Sequence, residues 1–421
     1  MARRQSQTRR EVPAAVAGPR LLLLLSVLAL LLVGLVMVYS ASSVKAINAG
    51  DDPASFLFDQ LLYAGIGIAC AFVLWKFVPY GTWDRWFVWG IWAVAVALIV
   101  ATFFFGKELN GAKRWLTLFG SFGIQPSEFF KVALILASAH VVNGYRQGRT
   151  PTSVLIAQIG VLLVPLLFLY KAQSDLGTTL ICVVGILAAL WLGEVPLRAM
   201  LGILAIVAVF AFAAMFLVGY RADRWAFLDP WNDGQGGYGS GYQIIRSYYA
   251  FAEGGLFGVG LGNSHEKFLY LFSSESDFIF AIIGEELGMV GALAVIALFL
   301  VFLYAGMRIA RSAPDNFGTM VAGACVIAIA FQAFLNIGCA IGALPTTGKP
   351  LPFISSGGSS LIATFIMVGI ILSVTQAAAA PSVYDRRRED LRVVREVRPN
   401  GFQAAGQGGR VPRGGRVSAR R

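Results

Sequence analysis

Charged side chains are scarce in this chain. Asp, Glu, Lys and Arg make up 14% of its 421 residues, where a soluble domain carries roughly 25%. That shortage excludes an ordinary soluble globular protein. Histidine is scarcer still: with His140 and His265 alone in the chain, a metal centre built on a histidine cluster is not expected. Cysteine is also sparse. Cys70, Cys182, Cys325 and Cys339 lie in apolar segments without CxxC spacing, which argues against a disulfide framework or a zinc ribbon and for small core residues. No fixed-period repeat and no second folded domain can be read in the chain.

Apolar residues take the place of the missing charge. The chain is 57% hydrophobic with a mean hydropathy of +0.70. Apolar windows of about 18 residues or more recur along it, as helices that cross a bilayer require. The pattern predicts an all-α polytopic membrane protein of about ten transmembrane helices. They fall near 21–42, 59–78, 87–106, 124–143, 154–170, 175–193, 197–218, 277–307, 318–341 and 358–380. A long outer loop, 219–276, separates the seventh from the eighth. The apolar run 21–38 exceeds the roughly 7–15 residues of a secretory signal core, and more spans follow, so the first helix is expected to stay uncleaved.

Orientation follows from Arg and Lys in short loops. Arg3, Arg4, Arg9, Arg10 and Arg20 precede the first helix, which predicts a cytoplasmic N-terminus; ten crossings return the C-terminus to the same side. Arg85, Arg146, Arg149, Arg198, Arg308 and Arg311 fall in the inner loops of this scheme. The domain plan is a basic cytoplasmic tail at 1–20, a membrane domain at 21–380 and an Arg-rich cytoplasmic tail at 381–421. Rich in Arg, Gly and Pro and poor in aromatics, that last tail is expected to be disordered. The net charge of +11 comes without aromatic interleaving, so nucleic acid is not an expected partner.

Positive charge also stands on the predicted outer side: Lys107, Lys113, Arg114, Lys171, Arg221, Arg224, Arg246, Lys267 and Lys349. Snorkelling to phospholipid phosphates accounts for single residues. The set fits an anionic ligand at the outer leaflet better.

Carboxylates inside an apolar bundle are costly, and those that persist there bind or react. Asp277 stands at the mouth of the eighth predicted helix, with Glu285 and Glu286 inside it, where a water-borne group and a lipid-borne group can meet. The bland alternatives are a helix cap for Asp277 and structural support for Glu285 and Glu286. In 110–131, Asn110-Gly111 signals a turn, and Glu128 and Lys131 share a helix face three residues apart, as a structural salt bridge or an ion pair bordering the active cavity. Asp175 opens the sixth helix, as a cap or as a group that orients a sugar or cation. The outer loop holds glycines at 254, 255, 258, 260 and 262, which permit tight turns, and an amphipathic run at 242–252. Segment 345–360 is read as a re-entrant, cavity-lining element. In it Lys349 and the hydroxyls of Ser355, Ser356, Ser359 and Ser360 can meet phosphate or sugar.

Six stretches in order, NGAKRWL, QPSEFFK, QSDLGT, GYQIIRSYYAFAEGGLFGVGLG, SDFIFAIIGEELG and GKPLPFISSGGSS, resemble the SEDS family (shape, elongation, division and sporulation). The likeness spans about 21–380 and is nearer the division-type than the elongation-type member. The resemblance implies a peptidoglycan glycosyltransferase of the bacterial cytoplasmic membrane. It would polymerise lipid II at the outer face, at the division septum, with a class B penicillin-binding protein and other division proteins as partners. The family's essential acid falls on Asp277, its Glu/Lys pair on Glu128 and Lys131, and its QxDLG aspartate on Asp175. The chain departs from the family where Leu271-Phe272 and Glu275 replace the usual Leu-Pro and His before the acid, which bears on the local loop shape.

A carboxylate at 277 would take the proton of an attacking sugar hydroxyl. Lys113, Arg114, Arg221, Arg224 or a bound divalent cation would steady the departing diphosphate; no other cofactor is expected. A lipid II flippase and a non-catalytic division scaffold are the competing classes. Paired repeat halves, which would favour transport, are not seen.

Overall fold

The computed structural model describes residues 14–109, 112–119, 122–205 and 227–378. Arg221 and Arg224, the second half of the seventh predicted helix, the Asn110-Gly111 turn and the 381–421 tail lie outside the described residues. Helices α1 (Ala14–Ala49), α2 (Ser55–Phe77) and α3 (Phe87–Phe105) come first, with a short 3-10 turn at Tyr80–Trp83. After a small sheet follow α4 (Pro126–Arg146), α5 (Thr152–Gln173), α6 (Leu176–Leu192) and α7 (197–205). The chain continues with α8 (Tyr242–Gly254), α9 (Ile279–Arg311), α10 (Asn316–Ala340) and α11 (Gly358–Ala378). Among the described residues seven helices are long and apolar enough to cross a membrane. These are α1, α2, α3, α5, α9, α10 and α11. Nine of the ten sequence-predicted helices have a counterpart among the described residues, the seventh is described only over 197–205, and α8 is the amphipathic run of the predicted outer loop.

Burial divides the bundle. α2 and α3 turn large apolar side chains such as Phe58, Phe72, Phe77 and Phe104 outward, which is stable against lipid but not against water. α4 and α10 are interior: α4 buries Glu128, Lys131 and most of its apolar positions, and α10 packs on α6 and α9. Small residues let these helices approach closely. A Cβ at Gly323 would come within 2.3 Å of Leu192, and one at Gly306 within 2.4 Å of Val326.

Two local features depart from the sequence reading. First, 107–124 is not plain loop. Strands β1 (Lys107–Leu109), β2 (Ala112–Phe119) and β3 (Phe122–Ile124) form a three-stranded antiparallel sheet in the order β1-β2-β3. Leu109 pairs with Ala112 across the Asn-Gly turn signal, the dipeptide that tight hairpins favour. The alternation in AKRWLTLF was overshadowed by the apolar runs around it. Second, the eighth predicted helix is broken. Gly288 inside α9 has φ 68° and ψ −171°, and a Cβ there would meet the Gly258 nitrogen at 2.3 Å. Glycine tolerates both the positive φ and the close approach. The break splits α9 into a buried first part bearing Glu285 and Glu286, and a second part with exposed Val290, Leu293 and Leu300.

Polar contacts sort into two ends. At one end Tyr80 Oη donates to Asp315 Oδ2 at 2.8 Å, Asn143 Nδ2 donates to Asp84 Oδ2 at 2.6 Å, and Arg146 pairs with Glu194 at 2.8 Å. Apart from Asn143, the last residue of the fourth predicted helix, these are residues of the predicted inner loops. The candidate site residues of the predicted outer side gather elsewhere, as described next.

Candidate active site

Four charged side chains from three parts of the sequence, Glu128 and Lys131 of α4, Asp175 and Lys349, meet in one buried group. Lys131 Nζ lies 2.6 Å from Glu128 Oε2, one turn away on α4. Lys349 Nζ sits 3.4 Å from Glu128 Oε1 and 2.9 Å from Asp175 Oδ2. All four are at most 3% exposed. A buried charge without a partner is costly, so this chain of alternating signs is what lets the group exist. Asp175 also caps α6, accepting from the Thr178 N–H at 3.0 Å and the Thr178 hydroxyl at 2.8 Å. The cap expected of Asp175 is present, and its carboxylate also carries an ion pair to Lys349 that the sequence reading did not name. Burial would push the Lys349 ammonium down, but Asp175 and Glu128 hold it above the ordinary lysine value.

The close passage of Lys349 depends on a glycine. A Cβ at Gly177 would stand 2.3 Å from Lys349 Cγ and 3.1 Å from Thr347 Cβ. Gly177 of the QSDLGT stretch therefore leaves room for the lysine stem, while Asp175, two residues earlier, binds its ammonium.

Asp277 lies two residues before the first residue of α9. The residue preceding that helix is Phe278, and no side chain caps it, so the helix-cap alternative for Asp277 is set aside. Its backbone carbonyl accepts from Asn336 Nδ2 at 2.8 Å, and the same amide donates to the Lys349 carbonyl at 2.8 Å. One amide on α10 thus ties the acid's backbone to that of the lysine. The Asp277 carboxylate itself, among the described residues, has no ion-pair partner within 4.0 Å and no hydrogen-bond donor. It is enclosed by protein yet partly accessible, because it opens into a cavity of about 140 Å³ lined by Gln243, Cys339, Thr346, Thr347 and Lys349 among others. Burial pushes the Asp277 carboxyl up to about 6, against the pull of Lys349 and with a further push from Glu275.

The 341–357 segment forms one wall of this cavity and is folded into the interior, as its apolar, Pro-punctuated sequence suggested. Leu351, Phe353, Ile354 and Ser355 are buried. Ser355 Oγ donates to the Ser276 carbonyl and accepts from the Leu351 N–H at 2.7 Å, and the Ser356 N–H donates to the Glu275 carbonyl at 2.9 Å. Ser355 therefore uses its hydroxyl to lock this wall against the segment that carries Asp277. Glu275 pairs with Lys45 of α1.

Arg114, on β2, donates through Nε to the Gln173 carbonyl at 2.7 Å and through Nη2 to the Ser174 carbonyl at 3.0 Å, which anchors the sheet beside the Asp175 turn. Lys113 is half-buried on the same strand, where it pairs with Glu108 in the ladder. Glu285 and Glu286 have a supporting geometry. Glu286 accepts from Ser40 Oγ at 2.6 Å and pairs with Lys267 at 3.2 Å, and Glu285 accepts from Ser264 Oγ at 2.6 Å. They hang the loop preceding Asp277 on the buried part of α9. Sequence reasoning did not single out Gln332, whose Oε1 lies 2.6 Å from Lys131 Nζ, or Asn336. The available signal was two amides one turn apart in an otherwise apolar helix.

A helical membrane bundle with a buried ion network beside an unpaired acid defines a polytopic membrane protein with a built polar site. The family model described as "Cell cycle protein", covering FtsW, RodA and SpoVE, matches residues 20–380. The chain belongs to that family. It is 39% identical over 377 residues to "Stage V sporulation protein E" of Bacillus subtilis, covering 85% of this chain and 97% of that one. It is also 39% identical over 359 residues to the "Probable peptidoglycan glycosyltransferase FtsW" of Geobacter metallireducens, covering 84% and 94%. Among solved structures it resembles a chain of a peptidoglycan synthase complex that coordinates polymerization and crosslinking. The TM-score there is 0.69 at 28% identity, with 85% and 97% covered. The rod shape determining protein RodA of Thermus thermophilus gives a TM-score of 0.61 at 27% identity, with 84% and 95% covered.

Proposed function

We propose that this protein is a peptidoglycan glycosyltransferase that polymerises lipid II at the outer face of the bacterial cytoplasmic membrane during cell division. Asp277 serves as its general base. The observation that carries this reading is the unpaired Asp277 carboxylate opening into a cavity that it shares with the fixed cation Lys349. The names of the relatives, probable peptidoglycan glycosyltransferases among them, supply the substrate class.

In the reaction a sugar 4-hydroxyl loses its proton as its oxygen bonds to an anomeric carbon, and the bond from that carbon to lipid diphosphate breaks. Asp277 takes the proton, a role that typically contributes about 10²–10⁴-fold. A carboxyl near 6 is mostly ionised at neutral pH and more basic than a solvated aspartate, which suits a general base. Developing negative charge on the diphosphate calls for preorganised cations; this reading assigns that role to Arg114, whose charge acts on Asp277, with Lys113 next to it in sequence and Arg221 and Arg224 of the sequence-predicted outer loop. Lys349, Glu128, Lys131 and Asp175 are already committed to one another and act as the frame. A network locked in this way suits a fixed catalytic site better than the moving charges of a lipid carrier. Both termini lie in the cytoplasm in this reading, and a class B penicillin-binding protein cross-links the strands at the septum.

The test is the purified protein with its penicillin-binding partner, given lipid II in detergent. Glycan strands that disappear with Asp277→Asn are expected. Unchanged lipid II with the native protein, or normal polymerisation by the variant, overturns the reading.

A further inference from the structure

A second group of ligating side chains lies apart from the cavity. Glu253, His265 and Glu266 each bring one ligand atom to within 4.8 Å of the others, and His265 Nδ1 lies 3.7 Å from Glu253 Oε1. Glu253 stands in the last turn of α8, where the helix dipole presents its negative end. His265 and Glu266 follow the glycine-rich stretch after α8, so the group brings the two ends of that stretch together. It is also preorganised from behind, because the His265 and Glu266 N–H groups both donate to Glu285 of α9.

The Glu266 carboxylate is the independent sign of a missing ligand. It is 1% exposed. Oε1 receives Arg246 Nη1 at 3.4 Å, while Oε2 is buried with no hydrogen-bond partner among the described residues. A buried polar atom left without a partner costs about 1–3 kcal/mol, and more when it is charged. A cation set among these groups removes the deficit.

We propose that Glu253, His265 and Glu266 form a divalent transition-metal site that clips the end of α8 to the loop leading to Asp277. One imidazole and two carboxylates, without thiolate, suit Zn²⁺, Mn²⁺ or Co²⁺. Bonds of about 2.0–2.2 Å to each ligand draw inward ligand atoms that now lie up to 4.8 Å apart; Glu253 and His265 are exposed, and the His265 ring makes this move from its contact with Tyr270. Their exposure also gives the ion a path in, and leaves positions for water. The site is separate from any ion that serves the leaving diphosphate, since none of its three residues lines the Asp277 cavity. The scarcity of histidine excludes a histidine cluster, but a site that is two-thirds carboxylate needs only one.

The experiment uses tag-free, full-length protein in detergent, stripped with a chelator and titrated with Zn²⁺ by calorimetry and with Co²⁺ by visible absorption. One equivalent is expected to bind and to raise Tm. His265→Ala and Glu253→Gln should each weaken binding by roughly tenfold or more, since even the partners of metal ligands matter at the 10–100-fold level. Both positions are exposed, so the variants are expected to fold, and their metal-free Tm checks this. Absence of a bound equivalent in the native protein overturns the proposal, as do variants that bind as the native protein does.

Discussion

Asp277 and Lys349 line the same cavity but differ in what satisfies their charge. Lys349 Nζ lies 2.9 Å from Asp175 and 3.4 Å from Glu128, and one amide, Asn336, holds both backbones. The Asp277 carboxylate, among the described residues, has no such partner. The cation is fixed in place by the fold, and the acid is left to meet whatever enters.

That asymmetry predicts opposite effects of Asp277→Asn on activity and stability. Polymerisation should fall by about 10²-fold or more, the general-base contribution. Stability should rise. A carboxyl raised from an ordinary aspartate value to about 6 is destabilised as the anion, so the fold carries a cost that grows as pH climbs through the window between the two values and is full above about 6. Removing the charge recovers at most about 3 kcal/mol. Thermal unfolding in detergent should give the variant an equal or higher Tm at pH 7.5, with the advantage gone near pH 4. A lower Tm at pH 7.5 would count against an unpaired buried anion.

The same shift fixes a pH dependence. A general base works deprotonated, so kcat/KM should rise with pH through about 6 and level off above it. Glu275 pushes the Asp277 carboxyl up, so Glu275→Gln should move that limb to lower pH. Lys45, released from Glu275, acts in the same direction. A rate profile on lipid II across pH 5–8, compared between the two proteins, reads this directly; a limb that stays in place or moves to higher pH contradicts it.

Much of the frame was legible in the sequence because the bilayer leaves few options. Length and apolarity located most of the helices, and costly charges in or at the mouths of apolar helices pointed to Asp277, Glu128, Lys131 and Asp175. What sequence could not give was which charges pair across distance. Lys349 read as a phosphate ligand in a polar link, yet it is buried in an ion pair with residues 174 and 221 positions away. Ser355 read as a sugar contact, yet its hydroxyl closes a backbone junction. The break at Gly288 was hidden because an unbroken apolar run has the same composition whether or not its backbone kinks. The sheet at 107–124 rests on backbone pairing that a short alternation signals only weakly.

Removing one member of the ion network should cost more than any surface change. Lys349→Met leaves Asp175 and Glu128 to share the charge of Lys131, and breaking a buried pair typically costs about 3–5 kcal/mol. Lower Tm and lower yield are expected. Because Lys349 pulls the Asp277 carboxyl down, whatever folded protein remains should show its activity limb at higher pH. Combining Lys349→Met with Asp175→Asn should cost less than the sum of the single changes, since the second removes a charge that the first orphaned. Additive losses in a double-mutant cycle would mean that the two residues act independently.

Two glycines on neighbouring helices should respond to alanine in opposite ways. At Gly160 of α5 a Cβ meets nothing within 4 Å, so Gly160→Ala should be neutral or stabilising by up to about 1 kcal/mol through helix propensity. At Gly177 of α6 the Cβ would press on Lys349 Cγ at 2.3 Å. The ammonium is held at the far end by Asp175 and Glu128, so the stem cannot swing clear without breaking those contacts. A cost of about 1–3 kcal/mol, as for other overpacked sites, is expected from thermal unfolding, together with a drop in polymerisation rate as the lysine leaves its place beside Asp277. If Gly177→Ala proves as harmless as Gly160→Ala, Lys349 has room that this packing does not provide.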